Sequence, residues 1–207
     1  MPNAAIVKRY TGEAPDANLS CGGNLEFLDL QPGERVLDLG CGSGRETILC
    51  AQAVGGSGFV WGLDLTPRML ELAEKQAQAQ GVANIEFLLG TMEKIPLPEA
   101  SVDAVLSNCA INHAPDKARV YREIWRVLKT GGRFVVSDIM TEYSLPDAIR
   151  QDPEMVAACF GGAITLAEYA EALAAAGFAS VEVLKERHYV KNGYAMISRT
   201  LRGVKKT

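Results

Sequence analysis

A short apolar segment followed by alternating glycines is the feature that most constrains the fold of this 207-residue chain. Residues 36–40 (VLDLG) are typical of a buried strand that ends at a glycine. Gly42 and Gly44 follow, and Arg45–Val54 has the sequence of a helix that ends at two more glycines. Because glycine tolerates positive φ and has no Cβ, such a unit lets a ligand lie close to the backbone. It predicts a nucleotide-type site on an α/β sheet.

Strands and helices alternate along most of the rest of the chain, which predicts a mostly parallel sheet covered by helices on both faces. The last two strands flank Asn192 and Gly193, a strong signal for an antiparallel hairpin. The predicted helices are Arg45–Val54, 66–80, 116–129 and Leu166–Ala176. The seven predicted strands are 36–40, 59–65, Ile85–Leu89, 102–109, 133–140, 181–190 and Tyr194–Val204.

Length and composition indicate one domain, residues 1–207, with a cap segment at 1–32. Residues 141–165 contain two prolines and a Gly-Gly pair and have no long periodic run. Such a segment is expected to cover a site, so it is predicted to be an active-site lid.

Charge and hydropathy exclude several classes of protein. The net charge is −4 and the basic residues are scattered, so no nucleic-acid partner is expected. No apolar run approaches the roughly 18 residues of a membrane span, and the first ten residues lack the apolar core of a signal peptide. We therefore expect no membrane partner and a cytoplasmic location. Five cysteines without a C-x-x-C pair predict neither a disulfide framework nor a zinc knot.

An acidic residue ends the second predicted strand, about 20 residues after the glycine loop. Asp64 at that position can accept hydrogen bonds from both hydroxyls of a ribose. A dinucleotide or S-adenosylmethionine would satisfy this geometry. The dinucleotide pattern G-x-G-x-x-G is not completed, because Arg45 follows Gly44 directly. A tight turn without a ligand does not explain why both Asp38 and Asp64 lie at strand ends.

Segment 38–44 (DLGCGSG) resembles the acid-led G-x-G-x-G loop of the class I methyltransferases. Segment 90–93 (GTME) follows the third strand, where that family contacts adenine, and 102–108 resembles its fourth strand. The resemblance implies a Rossmann-like methyltransferase fold, with S-adenosylmethionine as the cofactor. The cofactor-binding residues that it implies are Asp38, Gly40, Cys41, Gly42, Gly44, Asp64, Leu65, Met92, Glu93 and Asn108.

Three cysteine segments resemble the arsenite methyltransferases more specifically. Segment 107–112 (SNCAIN) is close to their S-N-C-V-I-N, and 158–163 (ACFGGA) resembles their C-x-G-G-A. Segment 20–22 (SCG) resembles their Y-G-C-G, without its tyrosine. The resemblance extends from about Cys21 to Lys205. The resemblance implies a short form without the C-terminal extension that is common in that family.

The chemistry of trivalent arsenic gives these cysteines a purpose. Arsenic(III) is thiophilic, and three thiolates would leave its lone pair free to accept a methyl group. The resemblance implies that Cys21, Cys109 and Cys159 are the catalytic arsenic ligands. It also implies arsenite or thiol-bound arsenic as the substrate and a reductant such as glutathione or thioredoxin as a partner.

Three alternatives remain open from the sequence. Each of these cysteines could simply be buried, as Cys50 is expected to be in its helix. His113 stands where the arsenite methyltransferases usually have leucine; it is either a bystander at the pocket rim or a general base. A base would suit a methyltransferase of a small organic acceptor, such as a quinone or a polyketide-like molecule. A binding protein that sequesters a soft metalloid would need no glycine loop.

Overall fold

The computed structural model describes residues 2–13 and 23–206. The sequence prediction for Cys21 therefore lies outside the described residues. No helix in these two ranges is long and apolar enough to cross a membrane.

A single sheet organises the described residues, with the strand order β3-β2-β1-β4-β5-β7-β6. The strands are β1 (Arg35–Leu39), β2 (Phe59–Asp64), β3 (Ile85–Leu89), β4 (Val102–Asn108), β5 (Leu128–Thr141), β6 (Val181–Lys191) and β7 (Tyr194–Val204). The helices are α1 (Pro2–Glu13), α2 (Leu25–Leu28), α3 (Arg45–Val54), α4 (Pro67–Ala79), α5 (Lys117–Val127), α6 (Asp147–Arg150), α7 (Pro153–Ala157) and α8 (Leu166–Ala176). A 3₁₀ turn spans Ile111–His113.

The sheet has the predicted mixed arrangement. β1 to β5 pair in parallel, and β7 pairs antiparallel with both β5 and β6. The β6–β7 turn places Asn192 at φ 54° and Gly193 at φ 81°, two positive values of the kind that a tight hairpin turn requires. The sequence prediction of a seven-stranded sheet with a C-terminal hairpin is confirmed.

Helices cover both faces of the sheet because neighbouring strand residues point to opposite sides. Leu37 and Leu39 belong to a core cluster shared with α5 and α8, whereas Val36 belongs to a cluster shared with α2 and α3. Cys50 in α3 is fully buried in this second cluster, as predicted. The predicted two-faced architecture is therefore confirmed at the level of individual side chains.

Two adjoining predicted boundaries are wrong, since the strand predicted at 133–140 begins at Leu128. The sequence predicts a helix over 116–129, but α5 ends at Val127 and β5 begins at Leu128. Asp116 caps the helix, since its carboxylate accepts a hydrogen bond from the Arg119 amide at 2.8 Å. At the other end, Leu128 pairs with Val102 of β4. The backbone is therefore part of the sheet at a position where the helical periodicity of the sequence predicts a further helical turn.

Segment 141–165 begins at the end of β5 and ends beside the same residue, Thr141. Its ends meet, because the Thr141 amide donates to the Ile164 carbonyl and Thr141 forms a bridge with Thr165. Between them lie the short helices α6 and α7. Helix α1, from the predicted cap segment 1–32, packs against α7 and α4. The Arg9 guanidinium donates to the Ala157 carbonyl at the end of α7 at 2.6 Å.

Candidate active site

A cleft lies at the carboxyl ends of β1, β2 and β4, the edge at which α/β sheets place ligands. It contains about 1100 Å³ of open space. Ile6 and Tyr10 of α1 also line it. The predicted cofactor residues that line it are Asp38, Gly40, Cys41, Gly42, Asp64, Leu65, Met92, Glu93 and Asn108.

Gly44 is the one predicted cofactor residue that does not belong to the cleft lining. It lies at the N-cap of α3 with φ 83°. A Cβ placed on it would approach the Ala73 Cβ of α4 to 2.8 Å. Its role in the structure is therefore to let two segments pack closely.

The first two glycines of the loop serve the site directly. A Cβ on Gly40 would lie 2.2 Å from the Ala110 Cβ, so glycine here lets the segment after β4 approach the loop. A Cβ on Gly42, which has φ 52°, would meet no atom within 4 Å. Because Gly42 lines the cleft, the missing side chain leaves room for a ligand against the backbone.

Asp64 is held by the glycine loop and by the start of α4. One carboxylate oxygen accepts from the Gly42 amide at 2.9 Å, and the other accepts from the Thr66 amide at 2.8 Å. Each oxygen keeps further acceptor capacity, so the carboxylate can still receive hydroxyl donors. Burial raises the pKa of Asp64 above its usual value.

Asp38 is the most buried acid among the described residues that line the cleft. It is buried, and its carboxylate accepts the Thr47 hydroxyl at 2.7 Å. Burial, followed by the nearby charge of Glu46, raises the pKa of Asp38 to about 8. A positive charge bound in the cleft would stabilise the ionised Asp38 carboxylate against both effects.

Glu46 is a site residue that the sequence reasoning missed. Its carboxylate accepts from the Asn108 side chain at 3.1 Å and from the Asn24 amide at 3.2 Å, and it lines the cleft. The sequence signal was an acid in the first turn of α3, which usually only complements the helix dipole.

The charges of the cleft distinguish between the two cofactors that the sequence allows. Among the described residues that line it, four carry carboxylates, and Arg45 is the single one with a positive formal charge. These carboxylates belong to Asp38, Glu46, Asp64 and Glu93. An acidic cleft disfavours the pyrophosphate of a dinucleotide and suits a ligand with an ammonium and a sulfonium group. The residues present therefore fit S-adenosylmethionine.

The structure brings two of the three predicted arsenic ligands together. Cys109 follows β4 and lines the cleft, and Cys159 follows α7 in segment 141–165. The Cys159 Sγ lies 3.3 Å from the Cys109 carbonyl oxygen, and both side chains belong to one apolar cluster with Phe160. Cys109 and Cys159 are only 8% and 9% exposed.

Both cysteines occupy an uncommon backbone conformation. Cys109 has φ 55° and Cys159 has φ 59°, in the left-handed region that residues with a Cβ rarely adopt. Such strain persists only where surrounding contacts enforce it, and it clusters at functional sites. The Cys109 amide donates to the Ser137 carbonyl at 2.8 Å, and the Cys159 amide donates to the Val156 carbonyl at 3.0 Å.

The Gly-Gly pair after Cys159 has a packing explanation. A Cβ on Gly162 would lie 1.7 Å from the Asn112 carbonyl oxygen, and one on Gly161 would lie 2.7 Å from the Ile149 carbonyl oxygen. Only glycine therefore lets segment 141–165 lie directly against the turn that follows Cys109.

Asp138 holds the 3₁₀ turn that follows Cys109 through a hydrogen bond, and it was not predicted from the sequence. Its buried carboxylate accepts from the Asn112 amide and from the Tyr169 hydroxyl, each at 3.0 Å. Burial raises the pKa of Asp138 to about 6, although the charge of Lys117 opposes the shift. No sequence motif marks Asp138, because its partners come from elements distant in the chain.

His113 lines the cleft and is buried, whereas the sequence left open whether it is a bystander at the pocket rim or a general base. It is 8% exposed, and its Nδ1 lies 3.0 Å from the Val156 carbonyl oxygen. Its Nε2 lies 2.8 Å from the Tyr10 hydroxyl and 3.1 Å from the Cys159 Sγ. Burial lowers the pKa of His113 to about 4, so the ring is neutral at neutral pH. The second histidine, His188, lies exposed on β6.

The protonation state of Cys159 differs from the thiolate expected from the sequence. Burial, with a smaller contribution from the charge of Asp138, raises the pKa of the Cys159 thiol to about 11. The group is therefore a protonated thiol at neutral pH. Cys41, Cys50 and Cys159 are free thiols, and Cys109 is disulfide-bonded.

Comparison with known proteins places the chain among methyltransferases. Residues 30–189 match a family described as a methyltransferase domain. The chain is 40% identical over 171 residues to an arsenite methyltransferase of Halobacterium salinarum. That match covers 83% of this chain but 44% of the relative, so the chain spans less than half of that relative's length.

A solved structure and a second relative extend the comparison. An arsenic(III) S-adenosylmethionine methyltransferase from Chlamydomonas reinhardtii superposes with a TM-score of 0.81 at 31% sequence identity. The alignment covers 97% of this chain and 74% of the algal protein. A demethylmenaquinone methyltransferase of a Geobacillus strain is 36% identical over 111 residues, which covers 54% of this chain and 47% of that protein.

Proposed function

The chain belongs to the arsenite methyltransferase family of S-adenosylmethionine-dependent methyltransferases, and on this premise we propose that it methylates trivalent arsenic. In this proposal, arsenic is held by the sulfurs of Cys109 and Cys159, with Cys21 as the third ligand. The observation that carries the proposal is the meeting of Cys109 and Cys159 at the border of an acidic cofactor cleft.

The cofactor cleft supports the proposal through its own residues. S-adenosylmethionine supplies an electrophilic methyl group when it is bound. Asp64 offers hydrogen-bond acceptors to the ribose, and the backbone at Gly42 leaves room for the methionine portion. Asp38 and Glu46 provide the negative charge that a cationic ligand requires. Met92 and Glu93 lie where they can border the adenine.

The cysteine pair supports arsenic as the substrate. Soft trivalent arsenic prefers sulfur ligands, and two cysteine sulfurs contributed by two segments form the kind of donor set that it selects once they are reduced. Arsenic bound by sulfur keeps its lone pair, which is the nucleophile that a methyl group requires. The protein contributes by fixing this centre beside the cleft, because Cys109 lines the cleft and Cys159, which follows α7, lies against Cys109.

The alternative is a small organic acceptor, with His113 as the general base. The similarity of the chain to a demethylmenaquinone methyltransferase supports this alternative. The contacts of His113 count against it, because Nε2 is already within hydrogen-bonding distance of Tyr10 and Cys159. A base must reach the proton of its acceptor, so these two contacts would have to break first.

Segment 141–165 acts in this proposal as the lid that delivers Cys159, and residues 1–32 act as a cap. We place the reaction in the cytoplasm, where a thiol reductant such as glutathione or thioredoxin keeps cysteines reduced. The disulfide bond at Cys109 supports the need for such a reductant, because a sulfur within a disulfide cannot bind arsenic as a thiolate.

The test is methyl transfer by the purified chain, supplied with arsenite, S-adenosylmethionine and glutathione, with arsenic species separated and quantified by mass. The proposal predicts methylated arsenic in the wild type and its loss in Cys109→Ser and Cys159→Ser. Cys50→Ala, a change in the core on the opposite face, should retain the product. Methylation that survives both serine substitutions would refute the cysteine-bound substrate. Absence of methylated arsenic in the wild type, with S-adenosylmethionine still bound, would favour the organic acceptor.

A further inference from the structure

A short network of side chains joins α1 to Cys159. The Tyr10 hydroxyl lies 2.8 Å from the His113 Nε2, and the Cys159 Sγ lies 3.1 Å from the same nitrogen. The Tyr10 hydroxyl and the Cys159 Sγ are themselves 3.7 Å apart. Three polar groups from α1, the 3₁₀ turn and segment 141–165 therefore converge on one point beside the cleft.

The tautomer of His113 follows from its other nitrogen. Nδ1 faces the Val156 carbonyl oxygen at 3.0 Å, and a carbonyl oxygen can only accept. Nδ1 of the neutral ring must therefore carry the hydrogen, which leaves Nε2 with a single lone pair. Tyr10 O–H and Cys159 S–H are both donors within reach of that lone pair, so they compete for it.

The Cys159 thiol has a second acceptor when Tyr10 takes the lone pair. Its Sγ is 3.3 Å from the Cys109 carbonyl oxygen. Cys159 S–H thus has two orientations, one toward His113 and one toward Cys109. The orientation fixes where the lone pairs of the sulfur lie, and those lone pairs form the bond to arsenic.

We propose that His113 is a positioning residue for Cys159, whose S–H it accepts so that the sulfur is oriented for arsenic capture. This inference rests on the proposed function and goes beyond it, because the arsenite methyltransferases that the chain resembles usually have leucine at this position. In capture, an As–S bond forms and an As–O bond breaks. The thiol proton leaves with the arsenic-bound hydroxyl as water, so no oxidant or reductant takes part.

Two substitutions at His113 separate positioning from a merely structural role. His113→Asn keeps an N–H that can donate to the Val156 carbonyl but has no acceptor at the Nε2 position. His113→Gln extends an amide oxygen to that position. If His113 only filled space or held α7, the two variants would behave alike or the shorter side chain would be the milder change.

The measurement is capture of phenylarsine oxide by the full chain, reduced beforehand, followed by intact-mass spectrometry at neutral pH without S-adenosylmethionine. We expect capture to slow roughly five-fold in His113→Asn, the size of effect that one hydrogen bond gives, and to recover to within roughly two-fold of wild type in His113→Gln. Equal rates in wild type and His113→Asn, or equal losses in both variants, would overturn the inference.

Tyr10→Phe provides a second, independent test that does not depend on the folding of a His113 variant. It removes the competing donor, so His113 Nε2 is left to Cys159 and capture should become faster. If His113 served only to anchor α1 through Tyr10, Tyr10→Phe would slow capture, and that result would also overturn the inference. Failure of the wild type to methylate arsenite would refute the proposed function but leave these capture results unaffected.

Discussion

The Nε2 atom of His113 lies 3.1 Å from the Sγ atom of Cys159, although 45 residues separate the two in the chain. The contact exists because the 3₁₀ turn after β4 and the end of α7 pack directly against each other. Gly161 and Gly162 make this approach possible, because a Cβ at either position would collide with a neighbouring carbonyl oxygen. Four predictions follow from this arrangement and from the cleft beside it.

Gly162→Ala should separate segment 141–165 from the turn that carries Asn112. The added Cβ would lie 1.7 Å from the Asn112 carbonyl oxygen, so the backbone has to move. We expect a loss of about 1–3 kcal/mol in the free energy of unfolding and a fall of at least roughly ten-fold in arsenic methylation. Urea unfolding and the methylation assay measure the two effects.

The matched control is Gly56→Ala, at a position where an added Cβ meets no atom within 4 Å. It should change the free energy of unfolding by less than about 0.5 kcal/mol and leave methylation intact. If Gly162→Ala behaved like this control, the close packing of the two segments would not be needed.

Asp64→Asn should weaken cofactor binding without unfolding the domain. The carboxylate accepts from the Gly42 and Thr66 amides, and an amide nitrogen in its place would face one of these donors. Loss of the negative charge removes a further attraction for the cofactor. We expect the Kd for S-adenosylmethionine, measured by calorimetry, to rise roughly ten-fold or more.

Glu71→Gln is the control for that charge change, because Glu71 is exposed on α4 and pairs with Arg68 away from the cleft. Its Kd should equal that of the wild type. An unchanged Kd in Asp64→Asn would mean that the ribose is not held at this strand end.

Stability should depend on pH through His113. Its pKa is about 4 in the folded protein, against 6.5 for an unperturbed histidine, so the unfolded chain binds the extra proton between these values. Stability from this group is therefore complete above pH 6.5 and is lost as the pH falls toward 4. At pH 4.5 the loss amounts to roughly 2–3 kcal/mol relative to pH 7.

Urea unfolding of wild type and His113→Asn at pH 7 and at pH 4.5 isolates this contribution. Asp38 and Asp138, whose raised pKa values have the opposite sign of effect, are shared by both proteins and cancel in the difference. The pH-dependent penalty should be absent from His113→Asn and present in His188→Asn. Parallel profiles for wild type and His113→Asn would show that His113 is not buried as a neutral ring.

Local patterns predicted the sheet and the cofactor loop because the responsible residues are neighbours in sequence. The strand that ends at Gly40 and the strand that ends at Asp64 can be placed together by one rule, that parallel strands have their carboxyl ends at the same edge of a sheet. The end of α5 was missed because Leu128 pairs with Val102, a contact that helical periodicity does not contain.

The surroundings of Cys159 could not be predicted for the same reason. Tyr10, Asp138 and Glu46 carry no motif, and their roles arise from contacts between elements that lie far apart in the chain. His113 was visible as a departure from the leucine usual in the arsenite methyltransferases, but only folding shows that it contacts Cys159. The burial of each group also sets its charge: Cys159 is a neutral thiol instead of the expected thiolate, and the His113 ring beside it is neutral.

Whether Cys109 and Cys159 hold the substrate is tested most directly by the local coordination of arsenic. It is measured by X-ray absorption at the arsenic edge on the reduced chain loaded with one equivalent of arsenite. We predict that the neighbours of arsenic are sulfurs in the wild type. One sulfur should be replaced by oxygen in Cys159→Ser and in Cys109→Ser, but not in Cys50→Ala. A first shell of oxygen in the wild type, or a shell that is unchanged by both serine substitutions, would contradict the claim that these cysteines hold the substrate.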